Sequence, residues 1–152
     1  MSDLTFRRAT AADIEAIVAL LADDALGATR EDPGPPLNPR YAQAFAAIDA
    51  DPNQVLAVVE EGGAIAGCLQ LTFIPGLSRK GLWRGQIESV RIASSRRGGG
   101  LGRRMFKWAI EECRKRGCEI VQLTTDKSRA EARRFYESLG FTASHEGMKL
   151  AL

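Results

Sequence analysis

The chain has little of what many small functional domains are built on: one histidine, three cysteines and a net charge of only +2 in 152 residues. Cys68, Cys113 and Cys118 are odd in number and show no C-x-x-C spacing, which argues against a disulfide framework or a zinc site and for reduced, buried thiols. A lone His145 in the late segment SHEGMK has no second imidazole at ligand spacing, so no metal site is expected. No window approaches the roughly 18 apolar residues of a membrane span, and MSDLTFRRATAAD lacks the apolar centre of a secretory leader. The expected location is therefore the cytoplasm, with no membrane partner. The small net charge also weakens a nucleic-acid-binding reading.

What is present is a globular composition, 45% hydrophobic and 26% charged, in a length suited to one domain over residues 1–152 with a real core. The charge is divided along the chain. Residues 1–60 hold ten acids and four bases, and residues 61–152 hold the remaining nine acids and seventeen bases. Such a division suits an anion bound by the second part and a cation received by the first.

Periodicity gives the order of elements. LTFRRAT reads as a strand, and Thr10 with Asp13 resembles a capping box ahead of a helix over about 11–24, its apolar face carried by Ile14, Ile17, Val18 and Leu21. A proline-rich loop follows. Asn38 before Pro39 then starts a second helix, with Tyr41, Phe45 and Ile48 on one face and Pro52 as its stop. QVLAVVEE and AIAGCLQLTFI flank Gly62-Gly63 as a hairpin. In GQIESVRIA, residues Ile87, Val90 and Ile92 cannot share one face at period two, so the spacing predicts a β-bulge between Glu88 and Val90. A helix from Leu101 to about Gly117, a strand EIVQLTT, a helix ending at Gly140 and closing strands FTAS and MKLAL complete an α/β domain. Its mixed sheet is expected to be antiparallel early and parallel beside the glycine loop.

That loop, RRGGGLGRR over residues 96–104, fits neither common nucleotide fingerprint. Counting G-x-G-x-x-G from Gly100 and Gly102 ends on Met105, and no glycine has the partners of a GxxxxGK[ST] loop. A strand, a glycine turn and a helix N-terminus instead aim backbone N–H groups at a single point, which suits a phosphate or pyrophosphate.

Arg97-Gly98-Gly99-Gly100-Leu101-Gly102, standing after a bulged strand, resembles the R-x-x-G-x-G/A loop of the GNAT acyl-CoA-dependent N-acetyltransferases. ARRFYESLGF is similar to a late helix and turn of that family, and the resemblance extends over essentially the whole chain. It implies a GNAT fold that binds acetyl-CoA, with Gly98, Gly99, Gly100, Leu101, Gly102 and Arg103 on the pyrophosphate beside Arg97, and backbone groups of Val90 and Ile92 on the pantetheine arm. Thr125-Asp126-Lys127-Ser128-Arg129 stands where the family often has an asparagine, leaving Lys127 or Arg129 for the 3′-phosphate.

An alkylammonium is mostly protonated at neutral pH, so acetyl transfer to an amine needs a proton acceptor. The resemblance gives that role to Glu88, beside the predicted bulge, and the role of acid for the departing thiolate to Tyr136. A backbone N–H freed by the bulge, that of Val90, would steady the oxyanion. Direct attack is expected rather than a covalent intermediate, because Cys113 lies on an apolar helix stripe. The acceptor is expected to be a small primary amine entering near residues 22–40 and 75–84, where Asp23, Asp24, Glu31, Tyr41 and Trp83 stand. The alternatives are a protein lysine or N-terminus, or a CoA-binding regulatory module without turnover. The ending FTASHEGMKLAL is faintly similar to aminoalkylphosphonate acetyltransferases, which does not name a substrate. Exposed strand edges are compatible with a homodimer.

Overall fold

The computed structural model describes residues 3–152. Five strands form one sheet in the order β1-β2-β3-β4-β5: β1 is Leu4–Arg8, β2 Gln54–Glu61, β3 Ala64–Pro75, β4 Trp83–Ile92 and β5 Ile120–Gln122. The first four pair antiparallel and β4 pairs parallel with β5, the mixed sheet read from the sequence. The helices are α1 Ile14–Ala22, α2 Gly27–Arg30, α3 Arg40–Ala50, α4 Ser78–Gly81, which is a single turn with Arg79 and Lys80 in the left-handed backbone region, α5 Leu101–Lys115 and α6 Ala130–Ser138.

Strand alternation divides the sheet into two faces. Leu69, Leu71 and Phe73 of β3 point to the face covered by α5, which buries Leu101, Met105, Phe106, Ala109 and Cys113 there. Burying a Leu, Met or Phe side chain contributes about 1.5–3 kcal/mol each. Three such anchors near its start fix α5 without help from the loop before it. Phe6 of β1 stacks on Trp108 at 5.4 Å and closes the far side of this layer. Cys68 faces the other way, into a smaller cluster with Ala9, Ile17 and Val58 beneath α1.

The predicted bulge is present. Cys68 pairs with Arg91 and Gln70 with Glu88, so the single residue Leu69 stands opposite both Ser89 and Val90. Ser89 takes the left-handed backbone at φ 54°. One inserted residue lets Ile87, Val90 and Ile92 all pack against the α5 layer while Glu88 faces the opposite side with Gln70.

Three expectations need correction. α1 is preceded by a 3-10 turn over Ala11–Asp13 and ends at Ala22, and the loop after it contains the single-turn helix α2. EIVQLTT supplies only the three residues of β5. FTAS and MKLAL form no strands: Met148, Leu150 and Leu152 are exposed, and the tail passes Thr124 at Gly147 without entering the sheet. A three-residue β5 offers too few ladder groups to seat a further strand, despite the alternating apolar pattern of the tail.

Candidate functional site

The parallel ladder between β4 and β5 runs only through Arg84–Ile120, Gly85–Val121 and Gln86–Gln122. Beyond Gln86 the two strands separate. The β5-facing backbone of β4 from Ile87 to Ile92, including Val90 and Ile92, has no ladder partner among the described residues, and the bulge at Ser89 lies within this opening.

The glycine loop stands at the end of the same strand. Gly98 and Gly100 both adopt φ 79°, a conformation that costs an L-residue about 1–2 kcal/mol, and an added Cβ at either would meet open space. Gly100 is the N-cap of α5 and carries no capping side chain. The N–H groups of Gly98, Gly99, Gly100, Leu101, Gly102 and Arg103 donate to no group among the described residues. A helix N-terminus whose N–H groups have no partner among the described residues, in front of an open glycine turn and between Arg97 and Arg103, has the chemistry that suits an anion. Gly102 differs from its neighbours. A Cβ there would sit 3.1 Å from Ile92 Cδ1, so this glycine serves the close approach of α5 to β4 rather than ligand access.

The arginines are not equivalent. Arg97 donates to the Asp23 backbone carbonyl at 3.1 Å and lies 3.5 Å from its carboxylate, tying the loop to the end of α1. Arg103 donates to Ser138 Oγ at 2.9 Å and lies over the Phe135 ring, so it braces α5 against α6. Arg91 pairs with Asp24 at 3.0 Å. A hydrogen bond from the Gly27 N–H, followed by the field of Arg91 and Arg129, holds the Asp24 carboxyl below the usual carboxylate range. Lys127 is 3.9 Å from Glu146 on the exposed surface, and Arg129 is the N-cap of α6.

Glu88 is exposed beside the bulge, directly across from Gln70. Tyr136 sits half-buried on α6 among Phe106, Phe135 and Phe141, with ring centroids 5.5–6.3 Å away, and its hydroxyl makes no hydrogen bond among the described residues. The cysteines stand apart from this chemistry. Burial pushes the thiols of Cys68 and Cys113 up to about 12, so neither supplies a thiolate near neutral pH. His145 is exposed and shares a 2.7 Å hydrogen bond with Ser144.

On the face opposite α5, an apolar cavity of about 170 Å³ opens between α1, α3 and the strands, reaching Gln70 and Ser89 at the bulge. Tyr41 lines it, and the Tyr41 hydroxyl accepts the Asp32 N–H at 2.8 Å. Trp83 is not brought there: it pairs with Pro75 at the start of β4 and packs into the α5 layer. Gln70 was not legible as a site residue. Its only signal is an amide side chain in the otherwise largely apolar run CLQLTF.

Comparison with known proteins fits this geometry. The acetyltransferase (GNAT) family model matches residues 16–141. The chain belongs to that family. Aminoalkylphosphonate N-acetyltransferase of Salmonella typhimurium is 31% identical over 105 residues, 69% of this chain and 68% of that protein. Glucosamine 6-phosphate N-acetyltransferase of Trypanosoma brucei brucei is 37% identical over 91 residues, 59% of each chain. Among solved structures, a transcriptional regulator from Bacillus halodurans C-125 superposes with a TM-score of 0.95 at 49% identity, covering 99% of this chain and 100% of that one. GNAT membership places the chain in the acetyl-CoA-dependent N-acetyltransferase class. No helix among the described residues is long and apolar enough to cross a membrane.

Proposed function

We propose that this chain, as one GNAT domain, moves acetyl from acetyl-CoA to the primary amine of a small molecule by direct attack. The observation that carries the proposal is the alignment along one strand of three features: the unpaired β4 backbone, the bulge at Ser89 and the open glycine turn with its unfilled N–H groups. An elongated ligand with a pyrophosphate at one end and a chain able to pair with a strand matches that alignment.

Acetyl-CoA supplies a thioester carbonyl open to nucleophiles. Gly98 to Arg103 hold the pyrophosphate, with Arg97 adding charge, and the backbone of Val90 and Ile92 holds the pantetheine arm. Glu88 accepts the proton released as the amine nitrogen bonds to the carbonyl carbon, and the Val90 N–H steadies the oxygen while charge sits on it. The C–S bond then breaks, and Tyr136 protonates the thiolate. High thiol pKa values at Cys68 and Cys113 support direct transfer over an acyl-cysteine intermediate. A cytoplasmic location, a homodimeric state and the absence of a nucleic-acid or membrane partner belong to the same reading.

A second reading is favoured by one finding, the Bacillus halodurans structure described as a transcriptional regulator. Here the fold would bind CoA without turnover. Calorimetric titration with acetyl-CoA, followed by free-thiol release against a panel of amines, separates the two. Binding with amine-dependent release supports the transferase. Binding without release from any small amine supports the regulatory reading or a protein acceptor, and no binding removes both CoA readings.

A further inference from the structure

The cavity beneath α1 and α3 narrows the acceptor. We infer that the acetylated amine is carried on an apolar, uncharged body about the size of one six-membered ring, and not on the phosphate or phosphonate skeletons named for the relatives. The inference rests on the transferase reading and extends it to substrate class.

The first support is position. Gln70 lines the cavity and stands directly across the antiparallel ladder from Glu88, so both side chains leave the sheet on the same face. Ser89, the bulged residue, lines the cavity as well. An amine whose body fills this space therefore presents its nitrogen beside the carboxylate assigned to take its proton.

The second support is surface chemistry. The walls are chiefly Ile17, Val18, Leu21, Phe45, Ile48 and Leu56, and none of the lining residues is a lysine or arginine. Among the cations nearest to it, Arg7 is engaged by Asp13 and Glu60, Arg91 by Asp24, and Arg8, which borders Phe45, Ile48 and Leu56 from outside the cavity, donates to the Gln54 carbonyl at 3.3 Å. Arg129 acts on Asp24 only through its field and is absent from the walls. With no cation on its walls and only Tyr41, Gln70 and Ser89 as polar lining, the cavity would replace little of the water stripped from a phosphonate, a heavy penalty for a buried anion. The helices forming the roof also belong to residues 1–60, with ten acids and four bases, which attracts an ammonium and repels an anion.

The third support is the state of α3. This eleven-residue helix carries Tyr41, Phe45 and Ile48 on one stripe yet buries no residue fully: Phe45 packs against the cluster of Ala9, Ile17, Val58 and Cys68, and all three side chains also line the cavity. An apolar cavity of about 150 Å³ is known to admit a benzene-sized guest, and the 170 Å³ here is of that size.

The test compares 2-phenylethylamine and cyclohexylmethylamine with 2-aminoethylphosphonate and glucosamine 6-phosphate as acceptors for the full chain with acetyl-CoA. The apolar amines should show kcat/KM at least about tenfold higher. Ala44→Trp, at an exposed position on the cavity rim, should raise their KM about tenfold while leaving the acetyl-CoA Kd and the melting temperature in place. Ligand-observed NMR on the CoA-loaded protein should show 2-phenylethylamine bound to the wild type, with the binding signal lost on the Ala44→Trp protein. Equal or better use of the anionic amines, or an Ala44→Trp enzyme with unchanged KM, overturns the apolar-acceptor inference and leaves the transferase standing. No thiol release from any amine overturns the transferase reading, and this inference with it.

Discussion

Arg97 at the entrance to the glycine turn and Asp23 at the end of α1 are joined by a 3.1 Å hydrogen bond to the backbone carbonyl and a 3.5 Å ion pair to the carboxylate. The side chain expected to meet the pyrophosphate is thus shared with an acid that directly follows α1, one of the helices around the cavity proposed for the acceptor. Asp23→Asn keeps the carbonyl contact and removes the competing negative charge. CoA should bind about two- to fivefold more tightly in low salt, and the gain should shrink as ionic strength rises. Calorimetry at two salt concentrations checks both parts.

Gly100→Val separates ligand access from packing. At φ 79° the substitution costs about 1–2 kcal/mol in backbone strain, but no atom lies within 4 Å of the new Cβ, so the core is untouched. The expected result is a folded protein with a modestly lowered melting temperature and an acetyl-CoA Kd raised at least about tenfold, since branched carbons would occupy the anion's place. A variant that binds acetyl-CoA normally would remove the loop from the site.

Glu88→Gln should lower kcat by roughly 10²–10⁴ with the acetyl-CoA Kd preserved, the range for losing a positioned proton acceptor. Tyr136→Phe keeps the ring within its aromatic cluster and deletes only the hydroxyl. Steady-state rates and thermal melts on this variant should show kcat down about tenfold or more with stability nearly unchanged. A normal rate would make Tyr136 purely a packing residue.

Asp13 should matter to stability rather than to turnover. It accepts two hydrogen bonds from Arg7, at 2.7 and 3.0 Å, and one from the Thr10 N–H at 2.7 Å. The Arg7 bonds, first among the causes, hold its carboxyl at about 2, below the ordinary 3.8. A depressed folded value means the contribution is complete above about pH 4 and is lost as pH falls toward 2. Asp13→Asn should cost roughly 1–2 kcal/mol at pH 7, discounted because Arg7 remains partly open to water. Urea titrations at pH 7 and pH 2 should show the gap between wild type and variant closing at the lower value.

Parts of this arrangement were legible because they are written in local rules. The parity conflict among Ile87, Val90 and Ile92 has one economical solution, a single inserted residue, and Ser89 is that residue. The glycine turn could be placed before α5 because no other residue type occupies left-handed backbone so cheaply. The cavity was hidden, since it depends on how far α3 stands from the sheet, a distance set by contacts remote in sequence. The tail misled for a related reason. Met148, Leu150 and Leu152 alternate as a strand should, but alternation states only which side is greasy and cannot supply a neighbour to pair with.

The parting of β4 from β5 after Gln86 and Gln122 gives the sheet an internal seam. A seam is closed by whatever enters it, so with the proposed ligand in place the guest becomes a temporary strand of its host. Heat resistance then reports occupancy: at a hundredfold excess over Kd the gain is about 2.7 kcal/mol. For such a protein the size of the cellular acetyl-CoA pool helps to determine how long each copy survives, independently of how often it turns over.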